Sequence, residues 1–443
     1  MRRGRQVRRV TGYPNADAPS TDLLQRCVHC GFCLPTCPTY AVLGVEMDSP
    51  RGRIRLMETV WQGRVDVASD PFEQHMYGCL DCRACETACP SGVEFGKLME
   101  GARSQIEAAR PRSHAERLIR TLAFRFLLPR PAVLGTFAHF SVLSKRLGVA
   151  AVLRAIGRPV PVARRLASLL ELVPARASSR ALPPRYPARG ERRGTVALFT
   201  GCVMRAAFAD TNAATARVLS RNGFEVVVPP RQTCCGALHA HAGERTAARA
   251  LARLNIASLE QLDVEAFVVN AAGCGAALKE YGWLLKDDPA WSERARLFAS
   301  RVKDASEFLA DAGLSAPPGP IRARVTYDDP CHLLHGQRIR EQPRTLLAAI
   351  PELSVMPLNE ADWCCGSAGT YNVTQPELSA KLLQRKIGNI TSSGAELLVT
   401  ANPGCQMQIA AGLRAARAPV EVVHLMDLLD RAYAQRGGDT GAG

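Results

Sequence analysis

The sequence predicts an α+β protein of several domains, in which a helical N-terminal domain and a helical spacer precede two repeated α/β domains with parallel sheets. Three observations lead to this prediction. Eight of the sixteen cysteines lie in residues 1–100, none lies in residues 101–193, and eight follow. The middle segment carries apolar residues at helical spacing. The segment after it repeats a pattern of short β-rich runs separated by helical patterns.

The N-terminal segment, residues 1–100, contains two copies of one cysteine motif. The copies are CVHCGFCLPTCP, which begins at Cys27, and CLDCRACETACP, which begins at Cys79. This is the bacterial ferredoxin run, in which three thiolates hold one [4Fe–4S] cluster and the fourth reaches the other cluster. A zinc module needs only two CxxC pairs around one ion, so two complete runs supply too much sulfur for zinc. The segment is therefore predicted to be a ferredoxin-like domain with two [4Fe–4S] clusters.

That ligation rule assigns four cysteines to each cluster. The predicted ligands of cluster 1 are Cys27, Cys30, Cys33 and Cys89. The predicted ligands of cluster 2 are Cys79, Cys82, Cys85 and Cys37. The stretch SPRGRIRLMETV between the two runs predicts a helix that packs the domain. The alternative is that its cations lie near the clusters. His29 and His75 are candidates for tuning the cluster potentials, and an ordinary surface or packed role is the alternative for each.

The segment 101–193 carries the whole positive surplus of the chain. It holds nineteen Lys and Arg against four Glu, while the formal charge of the full chain is +15. Such a surface can bind anionic lipid, a protein partner or nucleic acid, or can simply be solvated. Nucleic acid is the least favoured partner, because aromatics are few and no nucleic-acid module is visible. The stretches SHAERLIRTLAFRFLL and FAHFSVLSKRLGVAAVLRAI predict helices, and PARASSRALPPRYPARGERRG predicts an exposed linker.

The chain shows neither a secretory signal nor a membrane span. The basic start MRRGRQVRRV is not followed by an apolar run, and Arg or Pro interrupts every apolar stretch before the ~18 residues that a span needs. These features predict a cytoplasmic protein without a transmembrane segment. In a reducing compartment, sixteen thiols favour metal binding or redox chemistry over disulfides.

The C-terminal part repeats its cysteines. The repeat predicts a first α/β domain at residues 194–318 and a second at residues 319–436. Because ligands gather at the carboxyl ends of parallel strands, we expect the four cysteines of each repeat to converge on one site. The candidate ligands are Cys202, Cys234, Cys235 and Cys274 in the first repeat, and Cys331, Cys364, Cys365 and Cys405 in the second.

Each repeat contains two adjacent cysteines. Neighbouring Cα atoms lie about 3.8 Å apart, closer than the roughly 5.5–6 Å that a disulfide prefers. Side chains that follow one another on a strand point to opposite faces, so both thiols reach one centre only if the backbone turns, as Gly236 and Gly366 permit. An iron–sulfur cluster fits four thiolates. The alternatives are a thiol redox pair, usually Cys-x-x-Cys, and buried inert cysteines.

Four histidines lie close to these cysteines in the sequence. His239 and His241 follow the first adjacent pair, and His332 and His335 follow Cys331. They are candidates for ligands or proton carriers, and packing roles are the simpler alternative.

The pattern Cys…Cys-Cys-Gly…Cys, present twice, resembles the cysteine-rich CCG domain of heterodisulfide reductases and of bacterial 2-hydroxyacid and glycerol-3-phosphate dehydrogenase complexes. The order of two ferredoxin motifs, a helical spacer and two CCG domains resembles most closely the iron–sulfur subunits of glycolate oxidase (glycolate dehydrogenase). The matching stretches include CVHCGFCLPTCPTYAVLGVEMDSPRGRI, GCGAALKEYGWLLKDD and CCGSAGTYNVTQPEL. The resemblance covers roughly residues 20–430.

The resemblance implies an electron-transfer subunit of an oxidoreductase complex. A partner subunit with FAD would oxidise glycolate to glyoxylate, and electrons would leave through this chain to a quinone-like acceptor, with peripheral association at the inner face of the cytoplasmic membrane. No catalytic residue is expected here, because the chain lacks the G-x-G-x-x-G fingerprint of flavin and nucleotide sites. The alternatives are a subunit for lactate, another 2-hydroxyacid or glycerol-3-phosphate, and a non-catalytic redox-sensing scaffold. A sensor needs only one cluster.

One departure leaves the cluster type in the CCG repeats open. The heterodisulfide reductase relatives have a fifth cysteine three residues after the last one, where this chain has Ala277 and Gln408. A four-thiolate cluster, a site with a non-cysteine ligand, and a vacant site are all consistent with the sequence.

Overall fold

The computed structural model describes residues 12–156, 170–174 and 176–437. Within these ranges the chain forms two compact units. The first unit contains residues 12–117 and 238–245, and the second contains residues 118–237 and 246–437. The basic start, residues 1–11, and the spacer residues 157–169 lie outside the described residues. Helix Phe95–Ala109 continues across residue 100, where the sequence placed the end of the first domain.

The first unit is helical. Helix Pro50–Trp61 follows the stretch predicted to be helical and extends one residue beyond it, and Ser49 caps the helix by accepting a hydrogen bond from the Gly52 N–H at 3.0 Å. Its buried face carries Met57 and Val60. Residues 12–109 of this unit form the helices Thr21–Gln25, Pro38–Leu43, the 3-10 turn Glu46–Asp48, Pro50–Trp61, Asp70–Tyr77, Ala84–Thr87 and Phe95–Ala109.

The spacer begins as a series of helices, as predicted. They are His114–Arg120, the π-helix Thr121–Leu127, Pro131–Arg146 and Val149–Ile156. The stretch 137–156 forms two helices because Gly148 adopts φ +76° between them. The predicted linker also contains a short strand, Arg185–Tyr186.

Each CCG-like repeat forms one sheet. The first sheet contains β1 (Arg185–Tyr186), β2 (Gly194–Phe199), β3 (Phe224–Val227), β4 (Ala266–Val269) and β5 (Val302–Asp304), in the order β1-β3-β2-β4-β5. The second sheet contains β6 (Ala323–Tyr327), β7 (Leu353–Met356), β8 (Leu397–Thr400) and β9 (Glu421–His424), in the order β7-β6-β8-β9. All neighbours are parallel except β1, which pairs antiparallel with β3. The prediction of two repeated parallel-sheet domains is confirmed.

Helices cover both sheets. In chain order they are Val203–Ala207, Ala209–Arg221, Ala237–His241, Arg245–Leu259, Ala272–Lys279, Tyr281–Leu284, Ser292–Ser300, Ala305–Ala312, the π-helix His332–Gly336, Glu341–Ala348, Tyr371–Thr374, Pro376–Ser392, Pro403–Ala415 and Leu425–Gly437.

The two sheets share one hydrophobic core. Helix Ala209–Arg221 of the first repeat packs on the C-terminal helix Leu425–Gly437 of the second. Helix Glu341–Ala348 of the second repeat packs in the same way on helix Ala305–Ala312 of the first. Each repeat thus contributes the same two kinds of helix to the contact, as in an isologous interface. Buried strand residues of both sheets belong to one core cluster.

Candidate metal centres

In both ferredoxin motifs, residues between the cysteines adopt the left-handed backbone conformation at matching positions. In the first run His29 has φ +55° and Gly31 has φ +89°; in the second run Asp81 has φ +55° and Arg83 has φ +66°. Left-handed residues are rare outside glycine, and here they occur in two pairs at the same offsets. The turn that each pair makes allows three cysteines spaced by two residues to face one centre.

The four predicted ligands of cluster 1 line one cavity. Its wall contains Cys27, Cys30, Cys33 and Cys89, together with Cys85 and the side chain of Arg51. Burial raises the pKa of the Cys33 thiol to about 11, although the backbone of Arg51 opposes this shift by hydrogen bonding. Cys30 is exposed, so this cavity lies at the surface of the unit.

The predicted ligands of cluster 2 are more deeply placed. Burial raises the pKa of Cys85 well above its usual value, and the nearby thiols of Cys82, Cys79 and Cys37 raise it further. Burial also raises the pKa of Cys79, while the guanidinium of Arg53 opposes the shift. The structure therefore brings these four thiols close together.

Two arginines provide positive charge beside this second set. Arg53 is fully buried, and its Nε donates to the His75 carbonyl at 2.7 Å. A second donor, Nη2, pairs with the Asp48 carboxylate at 3.2 Å. The guanidinium of Arg103 donates to the Cys79 carbonyl at 2.5 Å and to the Met76 carbonyl at 3.0 Å. Sequence reasoning anticipated the arginines between the motifs but missed Arg103, which lies after the second motif in the basic segment.

His75 belongs to the same buried network. Its Nδ1 lies 2.9 Å from an Asp48 carboxylate oxygen. The Thr39 hydroxyl donates to the Asp48 carbonyl at 3.1 Å and lies 3.3 Å from the Cys37 sulfur. The network therefore positions Cys37, the thiol that the first run contributes to the second site.

The donor chemistry of both sets fits [4Fe–4S] clusters. Each predicted set offers four thiols, which is the number of ligands that such a cluster takes. Burial raises the pKa of Cys33, Cys79 and Cys85, so these thiols become good ligands only when iron compensates their charge. Arg53 and Arg103 would offset the negative charge of a bound cluster at the second set.

His241 lies in the ferredoxin unit and contacts two of its carboxylates. Its Nδ1 is 3.2 Å from Asp81 and 3.2 Å from Glu100. Burial by itself lowers the pKa of His241, but the hydrogen bonds and charges of Asp81 and Glu100 outweigh this effect and raise the pKa to about 10. With the ring protonated, these three side chains form an ion cluster beside the Cys79–Cys82 turn. His239, fully buried, belongs to the same unit.

The four cysteines of the first CCG repeat come together at the ends of the strands. The sulfurs of Cys202 and Cys234 are 3.5 Å apart, and those of Cys235 and Cys274 are 3.3 Å apart. The contact with the Cys234 thiol holds the pKa of Cys202 well above its usual value, and burial adds to the shift. Gly236 follows the pair with φ +84°, so the backbone makes the predicted turn.

The second CCG repeat has the same arrangement. The thiols of Cys331, Cys364, Cys365 and Cys405 form a continuous set of contacts, and the contact with Cys331 raises the pKa of Cys364 well above its usual value. Gly366 follows the pair with φ +82°. Nδ1 of His332 lies 3.5 Å from the Cys331 sulfur, while His335 is buried, which lowers its pKa.

One asparagine links the two CCG sites. Asn402 donates through Nδ2 to the Cys405 sulfur at 3.4 Å. Its Oδ1 accepts from the Gly273 N–H, the residue before Cys274, at 3.3 Å. The backbones also meet here, because the Ala272 N–H donates to the Ala401 carbonyl at 3.1 Å. The two sites are therefore neighbours, which the sequence did not predict.

The structure shows what the side chain does at one of the two positions where the heterodisulfide reductase relatives have a fifth cysteine. The side chain of Gln408 is buried, accepts a hydrogen bond from Asn372 at 3.0 Å and donates one to the Ser379 hydroxyl at 3.0 Å. Ser379 in turn donates to the Gly366 carbonyl at 2.8 Å. Gln408 therefore supports the loop behind the adjacent cysteines, and both ends of its amide are engaged there.

Comparison with known proteins agrees with this architecture. The model of the 4Fe-4S dicluster domain matches residues 23–93, and the model of the cysteine-rich CCG domain matches residues 196–279 and 325–410. The probable glycolate oxidase iron–sulfur subunit of Bacillus subtilis is 42% identical, with 93% of this chain and 95% of the relative covered. The glycolate oxidase iron–sulfur subunit of Escherichia coli is 37% identical, with 92% and 96% covered.

A more distant relative also matches nearly the whole chain. It is a component of the fumarate reductase (CoM/CoB) of Methanothermobacter marburgensis, 28% identical, with 97% of this chain and 76% of the relative covered. The fold and its cysteine sites thus define an iron–sulfur electron-transfer component of an oxidoreductase complex. Within that class, the chain belongs to the family of glycolate oxidase iron–sulfur subunits. In the part of the chain that the structure describes, no single helix is long and apolar enough to cross a membrane.

Proposed function

We propose that this chain carries electrons in a glycolate-oxidising complex, from a partner subunit that holds FAD to a quinone at the membrane. The observation that carries the proposal is the set of two four-cysteine sites in the ferredoxin unit, in a chain 42% identical to a glycolate oxidase iron–sulfur subunit over 93% of its length. Bound [4Fe–4S] clusters would accept and release single electrons, whereas glycolate oxidation belongs to the flavin.

The residues of the ferredoxin unit would hold and tune these clusters. Cys27, Cys30, Cys33 and Cys89 would ligate the first cluster and Cys79, Cys82, Cys85 and Cys37 the second. The buried guanidinium groups of Arg53 and Arg103 favour the more negative state of the second cluster, since positive charge and hydrogen bonding raise a cluster potential. The surface position of Cys30 suits the first cluster to exchange with another protein.

An apolar surface around the first cluster supports docking of the flavoprotein there. Val28 and Phe32, on either side of Cys30, are 67% and 66% exposed, and Met47 is 46% exposed. Arg51 and His29 line both cavities at this surface. Exposed apolar groups of this size typically mark protein contacts. Phe32→Glu is expected to weaken co-purification of the flavoprotein, and retained co-purification would refute this docking surface.

The spacer is the surface that we assign to the membrane. Its helices expose large apolar side chains, while Arg120, Arg125, Lys145 and Arg146 lie among them. Anionic headgroups suit this combination of apolar and basic groups. The exposed apolar residues are Leu118, Ile119, Leu122, Phe126, Phe137, Phe140, Leu143, Leu147, Val149 and Val152.

Charge reversal at Arg117, Arg120 and Arg125 tests this assignment. The triple variant should sediment less with anionic vesicles at low salt, with little change for neutral vesicles. Unchanged sedimentation would refute the lipid surface. Loss of the flavoprotein instead would show that this surface binds protein.

The central experiment separates this chain from its partner. In the anaerobically purified complex, Cys33→Ser and Cys85→Ser should abolish electron transfer to quinone, while glycolate still reduces the partner's flavin. Iron and sulfide analysis with EPR gives an independent result: about eight irons per chain means that only the ferredoxin sites are filled, and a clearly higher value means that the CCG sites also hold metal. Acceptor reduction that survives both variants would refute the proposed role.

Glycolate is favoured over lactate by the extent of similarity. The lactate utilization protein A of Exiguobacterium matches only 54% of this chain, although 98% of that relative is covered. The glycolate oxidase subunits match both chains almost completely. Assaying the complex against glycolate, lactate, 2-hydroxyglutarate and glycerol-3-phosphate decides the substrate.

A further inference from the structure

An open cleft lies beside the CCG sites in the second unit. Its volume is about 900 Å³. One wall is helix Pro131–Arg146 of the spacer, and the opposite wall is helix Pro403–Ala415, which begins two residues before Cys405. Phe208 and Met407 line the cleft and pack in the same cluster as Cys274. The cleft therefore adjoins the side chains that pack around Cys274.

The two CCG repeats are related by an approximate twofold axis, so each contact between them is expected to occur twice. The cleft occurs at only one of the two related places. The repeat places the π-helix His332–Gly336 where helix Val203–Ala207 lies, and helix Ala272–Lys279 where helix Pro403–Ala415 lies. On that related side Leu333 and Ile339 pack with Ala272 and Ala401 in a closed cluster. Gln337, at the position of Phe208, donates to the Ala272 carbonyl at 3.0 Å. The contact between helix Ala272–Lys279 and the π-helix His332–Gly336 is therefore closed, whereas the related contact between helices Pro403–Ala415 and Val203–Ala207 leaves the cleft open.

The lining of the cleft indicates the class of ligand. Apolar walls come from Val142, Leu143, Phe208, Met407 and Leu413. The charged side chains are balanced, since Arg146, Arg176 and Arg414 face Asp210, Glu421 and Asp427. A site for a carboxylate substrate would show a surplus of cations. The lining fits a flat, uncharged molecule of mixed polarity.

Polar groups at the inner end favour a ligand with carbonyl or hydroxyl groups. Oε1 of Gln406, the residue after Cys405, is buried and accepts no hydrogen bond from the described residues. Such an acceptor is costly unless a donor reaches it. Asp427 also lines the cleft and accepts from the Thr211 hydroxyl at 2.9 Å. Burial raises the pKa of Asp427 to about 6, so this carboxyl exchanges protons near neutral pH.

We propose that this cleft is the quinone site of the complex, where the quinone ring lies between the spacer helix and helix Pro403–Ala415 and its oxygens face Gln406 and Asp427. This inference rests on the proposed function. In the balanced reaction, a quinone takes two electrons, one at a time, from the iron–sulfur centres that the flavoprotein reduces, and two protons from solvent through groups such as Asp427. The product is the hydroquinone, whose hydroxyl can donate to Gln406.

The spacer connects this site to the proposed lipid surface. A second cleft of about 610 Å³ lies along the same helix, Pro131–Arg146, and His139 and Leu143 line both clefts. Phe140, which is 67% exposed, lines the second one. A quinone from the bilayer thus has an apolar route along this helix.

The test fills the cleft without touching a cysteine. Ala410→Trp places an indole in the cleft, Gln406→Leu removes the buried acceptor, and Ala415→Trp, at the exposed end of the same helix, is the control. Equilibrium dialysis with a short-chain quinone measures binding to the purified chain without turnover. We expect at least tenfold weaker binding for Ala410→Trp, several-fold weaker binding for Gln406→Leu, and wild-type binding for the control.

Turnover of the complex provides the second measurement. Ala410→Trp should raise the KM for quinone at least tenfold, while reduction of a soluble dye by glycolate and the EPR spectrum stay unchanged. Wild-type quinone binding in Ala410→Trp, or no quinone binding by the wild-type chain, overturns the site. If the wild-type complex does not oxidise glycolate, the proposed function fails, and the binding measurement still decides the site.

Discussion

The two CCG repeats have the same strand order and the same four cysteines, but they differ in the groups that support them. Behind the adjacent pair of the first repeat, Asn255 accepts from the Thr233 N–H at 2.9 Å and donates to the Cys234 carbonyl at 3.0 Å. At the corresponding place in the second repeat, Lys386 is fully buried and pairs with Asp328 at 2.9 Å. Asp328 in turn replaces Phe199 of the first repeat.

In the second repeat, the side chains at these two positions depend on each other. A buried lysine without a carboxylate is strongly destabilising, and so is the reverse, so Lys386 and Asp328 are only compatible as a pair. The nearby thiols of Cys365 and Cys405 help to raise the pKa of Lys386, together with Asp328 and against the effect of burial. A bound cluster at the second site would therefore lie beside a fixed cation, whereas neutral amides and the Tyr281 hydroxyl support the first.

The largest expected effect comes from breaking the buried ion pair. Lys386→Met leaves Asp328 buried and unpaired, and should lower the free energy of unfolding by about 3–5 kcal/mol. The matched change Asn255→Leu should cost about 1–3 kcal/mol. Denaturant unfolding of each variant measures both values. If Lys386→Met also carries Asp328→Leu, most of the loss should be recovered. A larger cost for Asn255→Leu than for Lys386→Met would contradict the comparison.

The ends of the edge strands differ in their response to pH. The edge strand β5 of the first sheet ends at Asp304, and the edge strand β9 of the second sheet ends at His424. Nδ1 of His424 accepts a hydrogen bond from the Met426 N–H at 3.1 Å. Nε2 of His424 donates to the Asn270 carbonyl at 2.8 Å. Burial lowers the pKa of His424 to about 4, whereas an unfolded histidine titrates near 6.5. The neutral ring thus stabilises the fold above pH 6.5, and this stability is lost as the pH falls towards 4.

We expect this loss to reach roughly 3 kcal/mol, from a shift of about 2.5 pKa units. Unfolding measured between pH 7 and pH 4 should show the slope, and His424→Gln should flatten it. For Asp304, burial raises the pKa to about 6, so its effect has the opposite sign and weakens the fold as the pH rises from about 4 to 6. An unchanged slope in His424→Gln would show that other groups dominate.

The two positions of the missing fifth cysteine should also respond differently. Gln408→Cys removes the hydrogen bonds to Asn372 and Ser379, and should cost about 1–3 kcal/mol of unfolding free energy. Ala277→Cys removes no side-chain hydrogen bond and should cost less. Thermal unfolding compares the variants, and iron analysis shows whether either new thiol recruits metal. Equal destabilisation would mean that the Gln408 network contributes little.

The smallest expected effect concerns the link between the sites. Asn402→Ala removes the hydrogen bonds to the Cys405 sulfur and the Gly273 N–H, at a cost of about 1 kcal/mol. If the second site holds a cluster, its potential should fall relative to that of the first, because hydrogen bonds to sulfur raise cluster potentials. Redox titration followed by EPR measures this shift. The matched change Ala271→Gly, at the corresponding place in the first repeat, removes no such bond.

Much of the architecture could be predicted from the sequence. Cysteine spacing indicated the two ferredoxin sites, the repeat predicted two parallel sheets, and Gly236 and Gly366 indicated the turns after the adjacent pairs. The fourth-ligand exchange of Cys37 and Cys89 and the domain boundaries remain predictions. The cysteine spacing, the repeat and the two glycines are local features or recur at fixed spacing, so they can be recognised along the chain.

Other features depend on contacts between distant segments. Arg103 and His241 lie beside the second ferredoxin motif, the pairing of Lys386 with Asp328 spans the second repeat, and Asn402 joins the two CCG sites. None of these follows from local spacing, because the partners are far apart in the chain and side chains of the same type are common on surfaces.

By itself, the sequence determined how the cysteines are spaced and how many times the pattern occurs, since covalent spacing and hydrophobic periodicity are properties of the chain. Only the tertiary structure decided what surrounds them. Burial and the interlocked helices of the two repeats place a cation, an amide or an open cleft beside otherwise equivalent cysteines, and these neighbours set the charge and access of each site.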